Sequence, residues 1–255
     1  MPLNHVHQSL ALRTQFEQLQ KEIEAKGMAV KACVVDFVQP TKDQWQGLVD
    51  AVNEGHVSVL GNSSVVNNIG VCHAAPGFFD EEDRALCDDM VRANVVSTMT
   101  ATRIVVPQMQ AQGNGLILNM GSFAALRSLP FMSVYAGTKG FVKTFSQSLA
   151  YELEPDGITV SYIYGQWGIG SMLGSKGRSL FNPAPSTFVR SALDRIGLKC
   201  GAHDSHTSIP YYPHSIVNFV SSCLWDPMHA KLAHYGFGQH VYALGAEKRT
   251  HAAAE

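Results

Sequence analysis

The sequence predicts one α/β domain built on a doubly wound, mostly parallel sheet. Two observations carry that expectation. Short apolar runs of strand length, such as Gly115–Gly121 (GLILNMG) and Ile158–Tyr164 (ITVSYIY), alternate with segments whose apolar residues recur at helical spacing. Alternation of this kind implies parallel pairing through right-handed crossovers. Several runs are also apolar almost throughout, as strands covered by helices on both faces are.

The elements follow in order. Gln8–Arg13 reads as a strand, and Thr14–Lys26 as a helix with Phe16, Leu19 and Ile23 on one face. Met28–Phe37 (MAVKACVVDF) reads as a strand buried on both sides, and Lys42–Asn53 as a helix. Val57–Asn68 offers a strand in two parts, VSVL and SVVNN, with GNS inserted between them. A long helical pattern covers Glu81–Gln112, followed by the Gly115–Gly121 strand. The helix that carries Tyr135 and Lys139 continues to Leu153, and the strand Ile158–Tyr164 follows it. Pro185–Leu198 and Pro213–Trp225 read as helices, and Gln239–Leu244 as a last strand. Nothing in composition divides residues 1–245, and the tail 246–255 (AEKRTHAAAE) is expected to fray.

Composition narrows the function classes. Hydrophobic residues make up 45% of the 255 and charged residues 16%, a balance that favours a well-buried globular protein. A formal charge of −2 points away from nucleic acid. Cys33, Cys72, Cys87, Cys200 and Cys223 lack CxxC spacing and read as reduced thiols. MPLNHVHQ lacks the apolar core of a signal peptide, and Ser215–Trp225 is about half the roughly 20 residues of a membrane span.

The chemistry concentrates in one trio. Tyr135 and Lys139 stand at i and i+4 of a helix and so share a face, and Ser122 lies thirteen residues ahead of the tyrosine. A cation beside a phenol favours the phenolate, making Tyr135 a proton donor and acceptor near neutrality. Ser122 ends an apolar run, from which its hydroxyl would reach the same substrate oxygen. A YxxxK by itself is more often an ordinary helix face, so the serine and its surroundings carry the weight.

Those surroundings resemble the short-chain dehydrogenase/reductase family. NNIG (Asn67–Gly70) is similar to the family's NNxG turn, Asn94 in RANVVST to the asparagine of its catalytic set, and Asp36 to the position that touches adenine. The resemblance covers roughly Gln8 to Met172 and implies a Rossmann-like domain. It implies carbonyl reduction, with Tyr135 protonating the oxygen, Ser122 positioning it, and Lys139 lowering the tyrosine pKa and holding the nicotinamide ribose. Asn94 would fix a water that connects Lys139 to solvent. Asn68 and Gly70 would line the cofactor. Arg13, just after its strand, suits a 2′-phosphate and so implies NADPH. LILNMGSFAALRSLP, AYELEPDGITV and STFVRSALDRIGL resemble the fungal very-long-chain 3-oxoacyl-CoA reductases, a group related to 17β-hydroxysteroid dehydrogenases. That implies a hydrophobic acyl-CoA or ketone substrate, fatty-acid elongation at the cytosolic face of the endoplasmic reticulum, and contact with elongation partners or a second copy. YYPHSIVNFVSSCL resembles that group's late helix, which implies peripheral membrane contact.

The pattern also departs from the family. Its first strand and its glycine-rich phosphate loop (TGxxxGxG) are not found ahead of Arg13, which only twelve residues precede. Those glycines bring the backbone close to the pyrophosphate at a helix N-terminus, so the expected cofactor grip is reduced. GQWGIG (Gly165–Gly170) follows a strand but not in the context a phosphate loop requires, and Ile169 stands where the family has a threonine. Asn62-Ser63-Ser64 is formally a glycosylation sequon, expected to be unused. The six histidines from His203 to His240 read as surface and turn residues, His203-x-x-His206 lacking a third ligand for a metal. Three readings remain: an NADPH-dependent reductase, a non-catalytic or truncated member that binds cofactor weakly, and a chain whose phosphate loop lies upstream of its first methionine.

Overall fold

The computed structural model describes residues 18, 20–27, 33–54, 64–73, 75–165, 179–198, 200–223 and separate positions between 228 and 239. Four strands form one parallel sheet in the order β1 (Ser64–Asn67), β2 (Gly115–Met120), β3 (Ile158–Ile163) and β4 (Thr207–Ser208). The register aligns Val65 with Ile117, and Ile117 with Val160, so the sheet presents one continuous apolar row. Helices follow each strand: after the helical residues 20–24 (α1) come α2 (Lys42–Glu54), α3 (Arg84–Val91), α4 (Ser97–Gln112), α5 (Ser133–Leu153), α6 (Pro185–Leu193) and α7 (Tyr212–Ser222). Helices cover both faces. On one face α2, α4 and α5 bury Val52, Val105, Met109 and Ala150 against Ile117 and Val160. On the other, Phe188 and Ala192 of α6 pack on Leu118 and Ile163.

Local chemistry explains the boundaries. Asp83 caps α3 by accepting the Ala85 N–H at 2.9 Å. Gly113 ends α4 in the left-handed conformation, at φ 66. A buried amide chain ties the layers: Asn67 Nδ2 donates to Asn119 Oδ1 at 2.8 Å, and Asn119 Nδ2 donates to Ser146 Oγ at 2.8 Å. Buried amides of this kind hold β1, β2 and α5 in one register because an unpaired partner would be costly.

Several expectations are corrected. The long helical pattern is broken by a π-turn at Arg92–Val96 between α3 and α4. Of the expected strand Met28–Phe37, residues 33–36 are not in strand conformation and Val34 is 70% exposed, so this end of the run is not buried on both faces. Thr207–Ser208, short and polar, forms a strand that apolar periodicity does not reveal. Gln239, expected in a strand, is helical. Residues 8–13, 28–32, 57–63 and 240–255 lie outside the described ones.

Candidate active site

The site assembles at the carboxyl end of β2. Strand β2 stops at Met120, and Ser122 then caps a short 3-10 turn, its Oγ accepting the Ala124 N–H at 3.1 Å. The Ser122 side chain also acts on the Tyr135 phenol, favouring its ionised form. One turn further along α5, Lys139 is only 5% exposed, with Nζ donating to the Met120 carbonyl at 3.0 Å and lying 6.0 Å from the Tyr135 ring centre. An ammonium has three N–H donors, so a buried lysine with one acceptor among the described residues retains donors for a ligand's hydroxyls. That donor set, facing a phenol and a serine, fits a ribose and a carbonyl substrate side by side.

Burial dominates the electrostatics. It pulls the Lys139 ammonium down to about 8, because desolvation penalises the charged form. It pushes the Tyr135 phenol above its ordinary value, with the Ser122 side chain opposing that rise. The expected lowering of Tyr135 by Lys139 is therefore not the leading effect in the free protein. Tyr135 is protonated at neutral pH, the form a proton donor requires.

Asn94 ties neighbouring segments together through its carboxamide. It sits in the π-turn, 1% exposed, where its carboxamide brackets one peptide. Oδ1 accepts the Val71 N–H at 2.7 Å, while Nδ2 donates to the Val71 carbonyl at 2.9 Å and to Thr138 Oγ1 at 3.0 Å. The side chain is thus committed to protein groups, and it ties the NNIG turn to α5 next to Lys139. π-turns commonly occur at functional sites, where they re-aim a side chain.

The remaining expected residues divide. Asn68 is exposed and Gly70 half-buried, between β1 and the bracketed Val71. Asp36 is exposed, and its Oδ1 accepts the Val38 and Gln39 N–H groups at 2.9 and 3.2 Å, which makes it a turn residue. Beside it opens a cavity of about 540 Å³ lined by Phe37, Gln39, Trp45, Arg92 and Ser97 among others. Arg13 and Ile169 lie outside the described residues, as does GQWGIG after Gly165. His214, expected at the surface, is wholly buried among Phe123, Phe188 and Tyr211.

Two groups escaped the sequence reading. Cys72, two residues after NNIG, lies within electrostatic reach of Lys139 and Tyr135, and burial raises its thiol to about 11. His73 and Glu82, 3% and 7% exposed, meet at 3.0 Å behind it. Proximity of Cys72 to the NNIG turn was the available signal; nothing local marks Glu82 as a partner of His73.

A family model for short chain dehydrogenases matches residues 6–167. The chain belongs to the short chain dehydrogenase family. Within that family it is 35% identical over 202 residues to the very-long-chain 3-oxoacyl-CoA reductase of Laccaria bicolor, covering 78% of this chain and 58% of that one. The corresponding protein of Aspergillus niger is 33% identical over 230 residues, covering 89% and 65%. The chain spans about three fifths of the length of such relatives. Among solved members, the bulky-bulky ketone specific alcohol dehydrogenase from Comamonas testosteroni superposes with a TM-score of 0.60 over 84% of this chain and 78% of that one, at 18% identity. A short-chain dehydrogenase from Sphingobium yanoikuyae in complex with NADPH gives 0.58 over 80% and 79%, at 21% identity. At such identities the likeness concerns the fold. No helix among the described residues is long and apolar enough to cross a membrane.

Proposed function

We propose that the chain is an NADPH-dependent reductase that converts a 3-oxoacyl-CoA to the 3-hydroxyacyl-CoA. The convergence of Ser122, Tyr135 and Lys139 at the end of β2 carries this reading, and the name of its fungal relatives supplies the substrate class. Bound NADPH would supply a hydride to the carbonyl carbon. Tyr135 donates its phenolic proton to the carbonyl oxygen as negative charge develops there. Ser122 hydrogen-bonds that oxygen and holds it at the distance proton transfer needs. Lys139 then stabilises the phenolate that Tyr135 becomes. On the cofactor side, Lys139 and Tyr135 would hold the nicotinamide ribose, Asn68 and Gly70 would back it, Asp36 would meet the adenine, and Arg13 the 2′-phosphate.

On this reading the protein acts in fatty-acid elongation at the cytosolic face of the endoplasmic reticulum, beside elongation partners or a second copy. Exposed Tyr212, Phe219 and Val220 on α7 support peripheral contact with that membrane. The test is consumption of NADPH with 3-oxooctadecanoyl-CoA. Tyr135→Phe should remove turnover while NADPH binding, followed by fluorescence titration, weakens by no more than about tenfold, the loss of one ribose contact. Turnover surviving in Tyr135→Phe would rule the mechanism out.

A further inference from the structure

We propose that Tyr162 is a positioning residue of the carbonyl site, a buried phenol that joins the backbone of Ser122 to the backbone of Lys139. The inference rests on the reductase reading, and goes beyond it by assigning a role to a residue outside the Ser122, Tyr135, Lys139 set.

Tyr162 belongs to β3 and has no exposed surface. Its Oη accepts the Ser122 N–H at 3.0 Å and lies 3.4 Å from the Ser122 carbonyl and 3.3 Å from the Lys139 carbonyl. One hydroxyl therefore spans the end of β2 and the turn of α5 that carries Lys139. The ring fits because residue 121 is glycine: a Cβ there would overlap Cζ, Cε1 and Oη of Tyr162. Burial raises the phenol far above the ordinary tyrosine value, so Oη keeps its proton and its donor–acceptor roles through the working pH range.

The ring is fixed from behind as well. Tyr164 meets it edge-on at 4.8 Å between centres, and Tyr164 Oη lies 3.4 Å from Asp204 Oδ2. Asp204 in turn pairs with Lys143 at 3.0 Å. Lys143 stands one helical turn after Lys139 on α5, so the chain of contacts leaves that helix at Lys139 and returns to it at Lys143. An apolar residue of the same size would fill the space but leave the Ser122 N–H without this acceptor, and a buried unpaired N–H is costly. The consequence reaches the chemistry through Ser122, whose side chain favours the ionised form of Tyr135. If the Ser122 backbone drifts, the oxygen it positions drifts too, and catalytic rates respond steeply to such displacements.

Tyr162→Phe keeps the ring and removes the hydroxyl. With NADPH and 3-oxooctadecanoyl-CoA, kcat should fall about tenfold while KM for NADPH stays within about twofold, because the loss is one of alignment. In the free protein, with tyrosines carrying a 13Cζ label and Tyr135 assigned through Tyr135→Phe, the Tyr135 phenol should titrate higher in Tyr162→Phe than in wild type, since Ser122 no longer supports its phenolate as well. Gly121→Ala, which displaces the ring without removing the hydroxyl, should produce the same two changes. A folded Tyr162→Phe with unchanged kcat and an unchanged Tyr135 titration overturns the proposal. Absence of turnover in wild type would count against the reductase reading alone; the titration then decides, a higher Tyr135 value supporting the positioning role and an unchanged one overturning it.

Discussion

The carboxamide of Asn94 grips the peptide of Val71 at both ends, Oδ1 on its N–H at 2.7 Å and Nδ2 on its carbonyl at 2.9 Å. Nδ2 also reaches Thr138 on α5, so one side chain joins three segments around Lys139. Asn94→Ala should lower stability by about 1–3 kcal/mol in urea denaturation, leaving half-buried backbone groups of Val71 unpaired. Asn94→Asp keeps the acceptor and loses the donors, and should fall between alanine and wild type. Equal midpoints for Asn94→Ala and wild type would show that the grip adds nothing.

Cofactor affinity should depend on pH through Lys139. Burial holds its ammonium at about 8, so the cation is present below that value and lost above it. Affinity for the anionic NADPH is then highest on the acid side, and Kd should rise above the midpoint by up to about tenfold per pH unit. Lys139→Gln should bind more weakly and flatten the profile. Fluorescence titration of NADPH over a pH series measures both.

Acid stability should respond to His214. Its imidazole is held below the ordinary value of 6.5 by burial, against the Phe181 carbonyl, which Nε2 meets at 3.1 Å. Below 6.5 the unfolded chain takes up a proton that the folded chain resists, so this contribution to stability is complete above that pH and declines as pH falls through it. His214→Gln, which cannot titrate, should show a shallower loss of melting temperature on acidification. Parallel loss in the two proteins would exclude this origin.

Gly157 joins α5 to β3 at φ 72, where an added Cβ would overlap the carbonyl oxygen of Gly113. Gly157→Ala combines backbone strain with a backbone clash and should destabilise by about 2–4 kcal/mol. The residue lies at the opposite end of β2 and β3 from Ser122, so the Tyr135 titration should be unchanged in the folded variant. Denaturant midpoints together with that titration test both statements.

Strand and helix identity was legible where the pattern was long. Gly115–Met120 and Ile158–Ile163 are central strands, and their apolar runs announce it. Cys33–Asp36 has the same composition, but a strand exists only with a partner edge, which composition does not reveal. The two residues of β4 are too few to make a pattern. The π-turn was hidden because one residue's shift in helical hydrogen bonding leaves apolar spacing almost intact.

By itself the sequence determined the parallel α/β plan and the membership of Ser122, Tyr135 and Lys139 in one site. Those properties rest on periodicities and short offsets along the chain, such as the i, i+4 spacing that puts Tyr135 and Lys139 on one helical face. Tertiary structure alone decided that Asn94 holds Val71, that Lys139 falls to about 8, and that Tyr162 fits against Gly121. Each depends on atoms from distant segments and on how much water their packing excludes, and neither quantity is written in local order.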